Sequence, residues 1–113
     1  MKTPELHRFL VKSSRPPVVE IDSEAQAVYV RFTKAKVART VDCGATAMHV
    51  AVDLDANGHV IGVEGIGMNL FNIEFILKQA RVQAPAAAVA RTRYIPVLMS
   101  ARGHSQEPVG ASN

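Results

Sequence analysis

Hydrophobic and polar residues alternate with a period of two between residues 18 and 66, as they do in β-strands that bury one face. Short segments rich in turn-forming residues interrupt this alternation. The pattern therefore predicts five strands, centred on Val19–Ile21, Val28–Phe32, Val37–Val41, Met48–Leu54 and Val60–Ile66. Because the turns are short, we expect consecutive strands to pair as an antiparallel meander. The Asn57-Gly58 pair between the last two strands is a strong hairpin signal.

The period of the apolar residues changes to 3.6 after residue 69, which predicts an amphipathic helix. Its apolar stripe consists of Leu70, Ile73, Ile76, Leu77 and Ala80, widened by Phe71 and Phe75. Asn69 or Asn72 is expected to cap the first turn. Because a sheet with one apolar face needs a cover, the pattern predicts an α+β fold. That fold is an antiparallel five-strand meander with a C-terminal helix packed on one face.

The segment after this helix gives weaker signals. Pro85 is expected either to end the helix or to begin a short second helix through Ala90. Residues 94–99 are expected to form a last strand, which Pro96 confines to an edge of the sheet.

The chain has 113 residues, which is the length of one domain. Pro16 and Pro17 separate an N-terminal lead-in, residues 1–17, from the predicted domain at residues 18–99. Residues 100–113 are predicted to form a disordered tail. A single cysteine, Cys43, excludes an intramolecular disulfide, and no apolar run has the length of a membrane span. We therefore expect a cytoplasmic protein with no membrane partner.

The charged residues are segregated along the chain. The net charge is only +3, yet residues 41–77 hold five acidic residues and no lysine or arginine. The segments on either side are basic. This distribution suggests two surfaces of opposite sign, which either pair within the fold or face a partner.

One basic cluster spans the second predicted hairpin without an acidic residue. It consists of Arg31, Lys34, Lys36 and Arg39. A basic β-ribbon can lie against phosphates, so these residues are candidates for binding a nucleic acid or another partner. The alternative interpretation is edge protection, since lysine at strand edges discourages the addition of a further strand.

The segment from Asp53 to Glu64 fits the pattern of a calcium-binding loop. Such a loop lies between two helices, whereas both flanks here alternate with period two, so we interpret the segment as a hairpin and predict no metal. Gly65 and Gly67 begin a dinucleotide-binding pattern, but Leu70 replaces its third glycine. We therefore predict no cofactor.

Four polar residues of the predicted strands are candidates for a small-ligand or ion site: Tyr29, His49, Asp53 and Glu64. Arg31 lies on the same strand as Tyr29 and is expected near them. The alternative is an ordinary solvated strand face. Because the chain contains no recognisable catalytic motif, we predict that it is not an enzyme.

Three segments together resemble a known family. The chain reads VVEIDSEAQAVYVRF from residue 18, KVART from residue 36 and VDLDANGHVIGVEGI from residue 52. These segments resemble DUF2283, a small bacterial family of unknown function, over about residues 18–77. The matching positions are Ala27, Tyr29, Phe32, Lys36, Val37, Ala38, Thr40, Asp53, Asp55, Gly58, Gly62 and Glu64. The family often has Asp where this chain has Gln26.

The resemblance implies a function only indirectly. Some members look like partners of ribonuclease-type toxins, which implies an antitoxin-like role. We therefore expect a small protein-interaction module that binds a protein partner or a second copy of itself. The alternatives are a nucleic-acid-binding regulator that uses the basic hairpin and a small-ligand or ion-binding domain.

Overall fold

A computed structural model describes residues 9–43 and 49–98. The predicted disordered tail, residues 1–8 of the lead-in and Met48 lie outside the described residues. The elements in chain order are β1 (Phe9–Leu10), β2 (Val18–Asp22), β3 (Ala27–Arg31), β4 (Arg39–Asp42), β5 (His49–Leu54), β6 (Val60–Ile66), α1 (Ile73–Ala80), β7 (Val82–Gln83), α2 (Ala86–Val89) and β8 (Arg93–Pro96).

The main sheet has six strands in the order β4-β5-β6-β3-β2-β8. Every neighbouring pair is antiparallel except β2 and β8, which run parallel. The short strands β1 and β7 form a separate parallel pair. The α+β class, with a mainly antiparallel sheet and a short helix, is thus confirmed.

The strand order differs from the expected meander because β6 lies between β5 and β3. After β3 the chain continues along β6, where the backbone N–H groups of Phe32 and Thr33 both donate to the Ile61 carbonyl. It then crosses to β4 at the far edge of the sheet. The alternation of apolar and polar residues determines the face to which each side chain points, but it does not determine which two strands pair. The predicted hairpin between β3 and β4 is therefore wrong.

One face of the sheet carries the apolar side chains and packs on α1. Val30, Val52 and Val63 are fully buried and lie side by side on β3, β5 and β6. Helix α1 contributes Ile73, Ile76, Leu77 and Ala80 to the same core. The same core includes Val82 of β7 and Val11, which follows β1.

Helix α1 begins and ends with the signals that its sequence contains. The Asn72 side chain accepts a hydrogen bond from the Phe75 backbone N–H, as expected for a cap. The helix ends at Ala80 and is capped by Arg81, which adopts a left-handed backbone (φ 58°) and donates its N–H to the carbonyls of Leu77 and Lys78. Leu70, which was expected to begin the stripe, precedes the helix and is exposed.

Strand β8 confirms that Pro96 lies in an edge strand. The N–H groups of Arg93 and Val97 donate to the carbonyls of Pro17 and Ile21 on the β2 side. Because the direction of the backbone N–H groups alternates along a strand, the backbone nitrogen of residue 96 points away from β2. Proline therefore removes no hydrogen bond of the sheet there. None of the helices in the described part of the chain is long and apolar enough to cross a membrane.

Candidate partner-binding face

The second face of the main sheet carries polar side chains, and we call it the polar face. Its residues are Val18, Glu20 and Asp22 on β2, Ala27, Tyr29 and Arg31 on β3, Thr40 and Asp42 on β4, His49, Ala51 and Asp53 on β5, Gly62, Glu64 and Ile66 on β6, and Arg93 and Ile95 on β8. The four polar candidates from the sequence therefore share one face. The register places Tyr29 beside Glu64, and Asp53 beside Gly62.

Tyr29 and Asp53 are joined across the intervening strand β6. The Tyr29 hydroxyl donates to Oδ2 of Asp53 at 2.7 Å. The Thr40 hydroxyl donates to Oδ1 of the same carboxylate at 2.6 Å. Both oxygens of Asp53 therefore accept short hydrogen bonds within the sheet, and this residue holds β3, β4 and β5 together.

Gly62 makes room for this link. A Cβ built on Gly62 would lie 2.6 Å from Cε2 of Tyr29, and closer still to the phenolic end of the ring. The Tyr29 ring therefore lies directly over the Gly62 backbone. A side chain at position 62 would displace the ring from Asp53.

Tyr29 also contacts the charged pair on its other side. Arg31 donates from Nε and Nη2 to the two carboxylate oxygens of Glu20, at 3.2 and 3.3 Å. The Arg31 guanidinium carbon lies 5.0 Å from the centre of the Tyr29 ring, within range of a cation–π contact. The contacts from Glu20 to Thr40 thus form a polar network that spans β2 to β4.

Burial raises the pKa of the Tyr29 hydroxyl well above its ordinary value of 10.0. Its hydrogen bond to Asp53 raises the pKa further, because the carboxylate would repel a phenolate. Tyr29 is consequently a neutral donor at physiological pH, with the character of a structural side chain.

Glu64 differs from the other carboxylates in the centre of the polar face. It lies half-buried between Tyr29 and Ala51, and in the described part of the chain it has no ion-pair or hydrogen-bond partner. His49 lies nearby on β5, with its Nδ1 3.8 Å from Oδ1 of Asp42. The described residues contain no group of three potential metal ligands.

The structure does not bring the four basic candidates onto one surface. Arg31 lies on the polar face and pairs with Glu20. Arg39 pairs with Leu54, a core residue, and so lies on the opposite side of the sheet. Lys34 and Lys36 are exposed in the connection between β3 and β4.

The loop that fits the calcium pattern is a hairpin turn. One oxygen of Asp55, Oδ1, accepts hydrogen bonds from the backbone N–H groups of Asn57 and His59, both at 2.9 Å. The bond from the His59 N–H is the main reason that the pKa of Asp55 is lowered, and partial desolvation opposes this change. Gly58 adopts the left-handed conformation (φ 83°) that closes the turn.

Two members of the polar network, Glu20 and Thr40, and the glycine beneath it, Gly62, were not site candidates in the sequence. Glu20 alternates with Val19 and Ile21, which places it on the polar face, but its pairing with Arg31 depends on the register of β2 and β3. Thr40 and Gly62 were matching positions of the family resemblance. That resemblance was the one available signal that these residues act together with Tyr29 and Asp53.

A comparison with known protein families matches residues 19–67 to the family described as "Protein of unknown function (DUF2283)". No curated protein and no solved structure matches the chain. The matched residues include β2 from Val19 onward, strands β3 to β6 and every residue of the polar network. Residues 19–67 of this chain are thus similar to the DUF2283 family.

Proposed function

We propose that this protein is a non-enzymatic protein-binding module whose polar face docks on a basic partner. The observation that carries the proposal is Glu64. It is a half-buried carboxylate at the centre of the face, with no ion-pair partner in the described part of the chain. Five carboxylates and two arginines share the described polar face, although the whole chain has a net charge of +3. The face is therefore locally acidic.

A basic protein suits this face better than a nucleic acid does. Phosphates would meet an excess of carboxylates, and Arg31 is already engaged with Glu20. Complementary charges at an interface raise the association rate and exclude partners of the same sign. Lysine and arginine side chains on the partner would pair with Glu64 and with the acidic residues around it.

The family resemblance favours one kind of basic partner. A ribonuclease needs a basic surface to hold the phosphates of RNA, and an acidic face can occupy such a surface. We therefore propose an antitoxin-like role, in which this chain covers the RNA-binding surface of a ribonuclease-type toxin.

Affinity capture with matched charge reversals tests this proposal. Tagged wild-type chain, Glu64→Lys and Glu74→Lys are incubated with a lysate of the native host, and the bound proteins are identified. Glu74 is an exposed acidic residue on α1, on the opposite side of the sheet, and serves as the control. Thermal melts establish that all three chains are folded.

We expect wild type and Glu74→Lys to recover the same basic protein at low salt, and Glu64→Lys to lose it. The recovered protein is then assayed for cleavage of RNA with and without wild-type chain, and we expect inhibition. Recovery of the same proteins by all three chains, or of nucleic acid alone, would contradict the proposal.

A further inference from the structure

We infer that β8 is an exchangeable strand, and that the edge of β2 which it covers is a docking site for an extended, basic segment of a protein partner. This inference rests on the proposed function for the kind of partner. It goes further in naming the strand edge where the partner binds and the segment that it displaces.

Strand β8 is held almost entirely by its backbone. All four of its residues, Arg93–Pro96, are exposed, whereas β3 and β5 are mostly buried. Its ladder to β2 is flanked by the bonds from Arg93 to Pro17 (3.1 Å) and from Val97 to Ile21 (2.8 Å). Segments that bury few apolar side chains open at a lower free energy than the core does. β8 is therefore expected to detach while the other five strands stay paired.

Tyr94 couples β8 to the helix. Its side chain points to the α1 side of the sheet, where the hydroxyl accepts a hydrogen bond from the Ile73 N–H at 3.1 Å. That N–H belongs to the first turn of α1 and has no acceptor within the helix. The Tyr94 hydroxyl thus acts as a latch between β8 and the start of α1.

Detachment of β8 would uncover a strand edge that can accept a new partner. The parallel register directs the backbone groups of Val19 and Ile21 toward β8. An extended segment in the place of β8 would form the same parallel ladder with them. The outer edge of β8 is a poorer site, because Pro96 lacks the N–H that would point outward there.

The charge of the polar face indicates which segment would compete with β8. β8 presents two side chains to the polar face: Arg93 beside Val18, and Ile95 beside Glu20, whose carboxylate is paired with Arg31. Without β8, the described polar face keeps five carboxylates and one arginine, so β8 offsets this charge with one arginine and places an apolar side chain at position 95. A segment with lysine or arginine at that position would add a charge opposite in sign to the face. We therefore assign the β2 edge to a basic segment of the partner. Such a segment is expected to bind there more tightly than β8 does, because it carries more positive charge.

Synthetic peptides test the inference on the full chain. The first peptide has the sequence of residues 91–98, RTRYIPVL; the second carries Ile95→Lys and the third Ile95→Glu. Each is labelled, and its binding to wild-type chain and to Tyr94→Phe is followed by fluorescence anisotropy at low salt. Tyr94→Phe removes only the hydroxyl of the latch, so the sheet and the core remain intact.

We expect the Lys peptide to bind several-fold more tightly than the Glu peptide. Tyr94→Phe should bind the Lys peptide about fivefold more tightly than wild type, the factor that one hydrogen bond of ordinary strength contributes. In amide hydrogen exchange, Ile95 and Val97 should exchange faster than Val28 and Val30. The Lys peptide should slow exchange at Val19 and Ile21.

Three results would overturn the inference. The first is equal exchange of the β8 and β3 amides. The second is the absence of binding to Tyr94→Phe, or equal binding of the Lys and Glu peptides. The third is a dimer that exchanges β8 between two copies, because the occupant would then be a second copy. Peptide binding without a captured protein would leave the strand site standing and remove the proposed function. Glu64-dependent capture without peptide binding would do the reverse.

Discussion

The hydroxyl of Tyr29 donates a 2.7 Å hydrogen bond to Asp53, across a strand that offers only Gly62 beneath the ring. All three positions lie within the stretch that matches the DUF2283 family. Their arrangement gives the motif a structural purpose, since it ties β3 to β5 over the central strand β6. Both oxygens of Asp53 are thus engaged within the network, whereas Glu64 has no ion-pair or hydrogen-bond partner among the described residues.

The link between Tyr29 and Asp53 should be measurable as a coupling free energy. We expect Tyr29→Phe and Asp53→Asn each to lower the free energy of unfolding, with a coupling of about 1–2 kcal/mol, because the acceptor is charged and the pair is partly buried. Urea denaturation of the two single variants and the double variant measures it. Additive effects would show that the hydrogen bond contributes nothing to the stability of the sheet.

Gly62→Ala should lower the free energy of unfolding by about 1–3 kcal/mol, because the new methyl group displaces the Tyr29 ring. In a Tyr29→Ala background the ring is absent, so the same substitution should be neutral or stabilising by roughly 0.4–1 kcal/mol. Urea denaturation of the four chains provides the comparison. An equal loss of unfolding free energy in both backgrounds would show that Gly62→Ala destabilises the backbone and does not act through the Tyr29 ring.

Tyr29 should make the stability of the protein depend on alkaline pH. Its pKa is raised in the folded state, by burial first and by Asp53 second. The folded protein therefore keeps a proton that the unfolded chain loses near pH 10.0, the ordinary pKa of tyrosine. The stability from this group is fully present below pH 10 and is lost as the pH rises above it.

The matched control for this pH dependence is Tyr29→Phe. Denaturation curves of both chains are recorded from neutral to alkaline pH, so that lysine titration contributes equally to each. We expect the free energy of unfolding of wild type to fall more steeply above pH 10. Parallel curves would show that Tyr29 ionises as readily in the folded state as in the unfolded one.

Asp55 should stabilise the β5–β6 turn without binding calcium. Its carboxylate already accepts two backbone N–H groups, so we expect no heat of binding when Ca²⁺ is titrated into the protein. Asp55→Ala should lower Tm, whereas Asn57→Ala should have little effect, because only the backbone of Asn57 takes part in these bonds. Calcium-dependent stabilisation of wild type that Asp55→Ala abolishes would contradict the hairpin interpretation.

The sequence predicts which face of the sheet each side chain occupies, but it predicts less well which strands lie next to each other. Alternation places Tyr29, Asp53 and Glu64 on the polar face, because side-chain direction is a local property of a strand. The insertion of β6 beside β3 arises from contacts between distant residues, such as Val30 with Val63. For the same reason, the Arg31–Glu20 ion pair and the Gly62 space under Tyr29 could not be derived from periodicity.

We propose that Glu64 and the acidic residues around it bind a basic partner, while the hydrogen bond between Tyr29 and Asp53 stabilises the sheet. Calorimetric titration of the captured partner with wild type, Glu64→Gln and Glu74→Gln, each at low and high salt, tests it most directly. We expect Glu64→Gln alone to weaken binding, with a smaller dependence on salt than wild type. Equal affinities and equal salt dependence for all three chains would contradict the claim.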